Sequence, residues 1–289
     1  MSTSWIKVSE PIPHVFHVEL ARGPVNAFSN EFTRQYSEVF DRLGGLRLDG
    51  PTPPDVRAVV LSSAIPKLFT AGLDLSEAAN IDTLTGAGAD GARSSLDLRQ
   101  YILEFQEAIG KPAKCPFPVI AAVHGPVVGL GMDIISACDV RYAAEDAQFS
   151  IKEVDIGLAA DIGTLAYLPK TVGNASLAHE LAYTARMFSA AEAETLGLVS
   201  KVVKGSQEDV VQAALALGKV IASKSPVAIT GTKRLLAHAR DHSVAESLEY
   251  TSLWNSAMLM TRDMAECLGA TKGKRLPQFA GLKPIFSKL

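Results

Sequence analysis

Residues 125–138, GPVVGLGMDIISAC, hold a single charge, Asp133, and follow almost directly on the apolar run FPVIAAV at 117–123. His124, Gly, Pro and Asp133 interrupt the stretch well short of the ~18 apolar residues that a membrane span needs, so no transmembrane helix is expected. The stretch therefore has to be folded inside a core, as a buried strand, a turn and a short helix near 132–138. Other Val- or Ile-rich runs at 15–20, 58–62, 140–142 and 199–203 read as strands. Between them lie helical stripes: one over 30–43 behind a Ser29/Asn30 cap signal, and a longer one over 96–109. Strand, helix, strand order over the first ~200 residues predicts an α/β core with crossover connections. Helical patterns at 210–221, 228–239, 244–254 and 258–268 then follow almost without strand signals. We expect a core over 1–205 and a helical segment over 206–289.

Composition narrows the function classes. Lys plus Arg number 28 against 31 Asp plus Glu, a net charge of −3, so no global basic field attracts nucleic acid or anionic lipid. Cys115, Cys138 and Cys267 are odd in number and lack CxxC or Cys/His ligand spacing, which predicts buried thiols and neither a disulfide framework nor a metal site. Residues 1–16 resemble neither a secretory signal nor a mitochondrial presequence. Ser287-Lys288-Leu289 matches a peroxisomal address, which predicts an import receptor as partner and the peroxisomal matrix as destination. The Pro-rich loop at 49–54 reads as a tolerated insertion, and the Gly/Ala-rich loop at 82–91 as a mobile segment able to cover a ligand.

Charges alone in apolar surroundings are the candidate functional groups, because an unpaired buried carboxylate is costly to ionise. Asp133 is one, and Asp161, the only charge of IGLAADIGTLAYLP at 156–169, is the second. Glu153 lies between them in SIKEVD. Each has a purely structural alternative: Asp133 paired with a buried Arg or His, Glu153 with Lys152, Asp161 as the cap of a helix beginning near Ile162. Gly129 and Gly131 precede a helix start whose free amides suit a developing anion, and the turn FTAGLDL at 69–75 offers another amide at Leu73, with Asp74 as cap. Asp139 and Arg141 read as a structural pair, and His124 as a packed or hydrogen-bonded histidine.

Three segments in this order, FTAGLDL, FPVIAAVHGPVVGLGMDIISACDVRYA and FSIKEVDIGLAADIGTLAYLP, resemble the crotonase, or enoyl-CoA hydratase/isomerase, family over nearly the whole chain. The resemblance implies an α/β spiral of ββα units with a C-terminal helical trimerisation segment, assembled as a trimer or dimer of trimers. It implies acyl-CoA thioester substrates with no cofactor beyond that coenzyme A. The thioester oxygen would lie between the backbone amides of Leu73 and Leu130, with Gly131 adjacent. Ala71, Gly72, Leu73, Asp74, Leu75 and Gly131 would line the substrate, and Arg22, Ala27 and Lys67 would lie toward the coenzyme. Leu130 departs from the glycine common in the family, so its side chain must point away from the ligand. Asp133, Glu153 and Asp161 together resemble the branch of the family that moves a 3,5-diene to 2,4. That reaction needs two acid/base groups in opposite protonation states, one at C2 and one at C6. By analogy with hydratases Glu153 works near C2, leaving Asp161 near C6 and Asp133 to orient and tune. The alternatives are enoyl-CoA hydration, Δ3-Δ2 isomerisation, and a silent acyl-CoA-binding or assembly subunit.

Overall fold

The computed structural model describes residues 4–45, 54–78 and 90–282. Most of the two loops singled out above, and the tripeptide Ser287-Lys288-Leu289, lie outside these residues.

Strands β1 (Ile6–Ile12), β2 (Val15–Leu20), β3 (Ala58–Ser63), β4 (Val119–Val123), β6 (Val140–Ala144) and β9 (Lys201–Val203) form one sheet in that order. Within this sheet only the β1–β2 pair is antiparallel among the described residues. The short strands β5 (Pro126–Val128), β7 (Gln148–Ser150) and β8 (Phe188–Ser189) form a second ladder, which isolated bridges Thr70↔Val127 and Phe28↔Leu73 prolong. Each repeat thus places a long strand in the first sheet and a short extended piece beside the second.

Alternation along the strands assigns the layers. Val59, Leu61, Val119, Ala121 and Val123 face a core shared with helix α1 (Asn30–Leu43), which contributes Phe32, Tyr36 and Phe40. Val15, Val60, Ile120 and Ala122 face the other way, onto Val210, Ala214 and Leu215 of helix α4 (Gln207–Ala222). Between these in the chain come helix α2 (Gly91–Ile109) and helix α3 (Leu130–Ser136). Ser29 caps α1 by accepting from the Phe32 amide at 3.2 Å, as its sequence position predicts. Asp90 starts α2 ahead of the expected residue 96 by accepting from the Ala92 and Arg93 amides.

Helices α5 (Pro226–Ala239), α6 (Val244–Met258) and α7 (Asp263–Lys272) complete the chain. Buried Lys233 of α5 donates to the carbonyls of Pro112 and Phe117 at 2.6 and 2.9 Å and to Asp139 at 2.7 Å. This corrects the expected Asp139–Arg141 pair. Arg141 instead donates to the carbonyls of Ile135, Cys138 and Leu198, tying the end of α3 to the segment before β9. Burial pushes the thiols of Cys115 and Cys138 up to about 12. Cys267, expected to be buried, is exposed on α7, where no other described part of the chain covers it. Among the described residues no single helix is long and apolar enough to cross a membrane.

Candidate active site

Asn26, fully buried, is the fixed point of the turn that carries Leu73. Its Nδ2 donates to the carbonyls of Leu20 and Phe69 and to Ser63 Oγ, joining the ends of β2 and β3 to the start of the turn. Thr70 Oγ1 donates to the Asn26 carbonyl at 2.7 Å and accepts from the Gly72 amide at 3.0 Å. Gly72 sits at φ +96°, and a Cβ there would lie 2.9 Å from the Val128 carbonyl oxygen and 3.6 Å from the Leu130 nitrogen. Only glycine fits so close an approach in that conformation.

The second turn reaches the same place from β5. Gly129, at φ +53°, donates its amide to the Ser150 carbonyl, and α3 begins at the next residue. The first amide of a helix has no intrahelical acceptor, and the Leu130 N–H finds none among the described residues. Neither does that of Leu73, whose neighbours Phe28 and Asp74 take up the bridge. Leu130 is 4% exposed and belongs to the core cluster while also bordering the adjoining cavity.

Both turns open on a cavity of about 300 Å³ that Asp133, Glu153 and Asp161 line together. Leu98, Ile102, Phe105 and Ile162 give it an apolar wall. Asp133, on α3, is 2% exposed, and burial pushes its carboxyl up to about 7 even though Thr164 donates to Oδ1 through both N–H (2.6 Å) and Oγ1 (2.7 Å). Its partner is thus neither Arg nor His. Glu153 opens a short 3₁₀ turn (Glu153–Ile156); Lys152 pairs with Asp155 instead, at 2.5 Å. Glu153 Oε2 is buried with no hydrogen-bond partner, and burial and then the charge of Asp161 raise its pKa. Asp161 does not cap a helix, since the helical turn Thr164–Tyr167 has Gly163 at its N-cap; burial raises the Asp161 carboxyl too.

Ala71, Gly72, Leu73 and Leu75 line the cavity. Gly131 lies beneath it, where a Cβ would press to 2.7 Å on the Thr70 side chain. Arg22 is engaged by Asp74 at 2.8 Å, by the Ala27 carbonyl and by the face of Trp5, whereas Lys67 is exposed; neither is part of the cavity wall. His124 is hydrogen-bonded to the Ile65 carbonyl at 2.9 Å, as a packed histidine should be. Two residues escaped sequence reasoning: Asn26, whose signal would have been a polar side chain inside a tight turn, and Thr164, which is 31 residues from its partner.

Residues 13–282 match the profile of the enoyl-CoA hydratase/isomerase family. The mitochondrial Delta(3,5)-Delta(2,4)-dienoyl-CoA isomerase of Pongo abelii is 48% identical over 98% of this chain and 83% of its own length. The peroxisomal Delta(3,5)-Delta(2,4)-dienoyl-CoA isomerase of Arabidopsis thaliana is 45% identical over 93% of each chain. A crystal structure of an enoyl-CoA hydratase from Bacillus anthracis matches with TM-score 0.82 at 27% identity, covering 96% of this chain and 100% of that one.

Proposed function

The chain belongs to the enoyl-CoA hydratase/isomerase family, and from that premise we propose how it works as a Δ3,5-Δ2,4-dienoyl-CoA isomerase of unsaturated fatty-acid oxidation. The observation that carries the reading is the grouping of three carboxylates and two unengaged backbone amides around one largely apolar cavity. The amides of Leu73 and Leu130 receive the thioester oxygen, each donor contributing ~3 kcal/mol as negative charge builds there. Gly131 supports the second of them from beneath. A Cβ on Gly129 would be 3.3 Å from Glu153 Oε1, so Glu153 stands beside the turn that would hold C1. It therefore takes the proton from C2. The electron pair spreads through the diene as a dienolate, and protonated Asp161 delivers its proton to C6. Glu153 is left protonated and Asp161 ionised, and exchange with solvent resets the pair. Asp133 orients the acyl group and sets the field in which the other two titrate.

Isotope exchange tests the division of labour. In deuterium oxide, Asp161→Asn should still exchange the C2 hydrogen while its yield of 2,4-diene falls by roughly 10²–10⁴, whereas Glu153→Gln should do neither. Exchange retained by Glu153→Gln and lost by Asp161→Asn would reverse the two roles.

Assembly and location belong to the same reading. Residues 206–289 serve assembly of a homo-oligomer, a trimer or a dimer of trimers, around catalytic cores formed by 1–205. Ser287-Lys288-Leu289, together with the peroxisomal name of the Arabidopsis relative, supports delivery to the peroxisomal matrix by an import receptor. Removing the three residues should leave the protein in the cytosol; continued import would overturn that destination. The coenzyme end of the thioester lies toward Ala27, where Arg22 and Asp74 form the edge of the site and Lys67 offers the exposed cation.

A further inference from the structure

Thr164 has no part in the mechanism above, yet it is fully buried and spends both of its donors on one oxygen of Asp133. With Oδ1 so engaged, Oδ2 is the oxygen available to a ligand in the cavity. Thr164 also lies three residues after Asp161 on one irregular turn. The other end of that turn is held from α2, where Gln106 Nε2 donates to the Asp161 carbonyl at 2.6 Å. The turn carrying Asp161 is therefore pinned at one end to α2 and at the other, through Thr164 and Asp133, to α3.

We propose that Thr164 is a positioning residue for the isomerisation: its hydroxyl and amide fix the Asp133 carboxyl, and the same bonds hold the Asp161 turn against α3. This rests on the assignment of both carboxylates to the diene site. The hydroxyl is the part that side-chain chemistry can remove, and it favours the charged form of Asp133. The titratable groups that share the cavity with Asp133 are Glu153 and Asp161, with Tyr101 on the far wall and Lys152 drawn to Asp155. Loss of the hydroxyl leaves the charge of Glu153 in place and removes a donor that favours ionised Asp133.

The test compares Thr164→Val, nearly isosteric but without the hydroxyl, with Thr164→Ser, which keeps it, in 3,5-dienoyl-CoA turnover across pH 5–9. Valine should lower kcat at neutral pH roughly tenfold to a hundredfold, the effect of one hydrogen bond to a charged group. KM should stay within about twofold, and the neutral arm of the kcat profile should move upward by about one pH unit. Serine should restore both the rate and the profile. Valine with the wild-type rate and profile overturns the proposal. So does serine as impaired as valine, which assigns the effect to the lost methyl packing. If valine fails to fold, Thr164→Ala is read by the same criteria against serine. A wild-type protein inactive on the diene contradicts the isomerase reading itself, an outcome separate from either variant result.

Discussion

Asp133 shows what it takes to keep a carboxyl inside a core. Its pKa stands near 7 in the folded chain because burial outweighs the two Thr164 donors, against an ordinary value of ~3.9 in the unfolded chain. The folded form therefore binds the proton more tightly. Stability associated with this group is fully present below the unfolded value and is lost as pH rises from about 4 toward about 7. Asp133→Asn removes the titration. Thermal unfolding should find it about 4 kcal/mol more stable than wild type at pH 8 and nearly equal at pH 4, with isomerase activity sharply reduced. Stability curves that run parallel over this range would contradict the assignment of the neutral-range pKa to Asp133. Glu153 and Asp161 are shifted in the same direction, in each case chiefly by burial, which favours their protonated forms.

At the scale of the elements, the site depends on two turns touching. Gly72→Ala puts a methyl 2.9 Å from the Val128 carbonyl at a positive φ, so the Leu73 turn must withdraw from β5. The expected result is a loss of about 1–3 kcal/mol in stability and a fall in kcat of tenfold or more. Wild-type values for both, by melting and by steady-state rates, would show that the turn is not locked. How much of this the sequence made legible depended on burial and distance. The parallel strands β3 and β4 are buried on both faces, so their apolar runs were readable; β2 showed instead as an alternation of buried Val15, Val18 and Leu20 with half-buried His17 and Glu19, and α1 announced both its cap and its stripe. Strand β1 was not, because Ser9, Glu10 and Pro11 give it no apolar rhythm on the antiparallel edge. Strands β5, β7 and β8, two or three residues each, carry too little periodicity to detect. The three acids were visible as charges in or between apolar runs. Their supports, Thr164 and Asn26, were not, since a hydroxyl or carboxamide gives no local sign of a partner far along the chain. The Asp139–Lys233 pair stayed hidden for the same reason, at a separation of 94 residues.

At the scale of the whole molecule, the helices after α4 leave apolar side chains outside. Leu248 is 65% exposed, Leu253 69% and Met260 86%, and no described part of the chain covers them. Such a surface calls for a partner, which our reading identifies as further copies of the chain. Light scattering should give a mass three or six times that of the chain, and a Leu248→Glu/Leu253→Glu double variant should lower it; a wild-type monomer at micromolar concentration would contradict the assembly. Lys233 carries the attachment of these helices to the sheet, and Lys233→Ala, which removes the cation from Asp139, leaving it only the Val119 amide, and strips a donor from two carbonyls, should cost about 3–5 kcal/mol. An unchanged unfolding midpoint would argue against that attachment. On our reading this arrangement of carboxylates and amides moves a diene. Purified protein should convert 3,5-dienoyl-CoA to the conjugated 2,4-dienoyl-CoA, seen as growing absorbance of the conjugated product, and should hydrate crotonyl-CoA far more slowly. No conjugated product at high enzyme concentration, or hydration of crotonyl-CoA as the faster reaction, would contradict it.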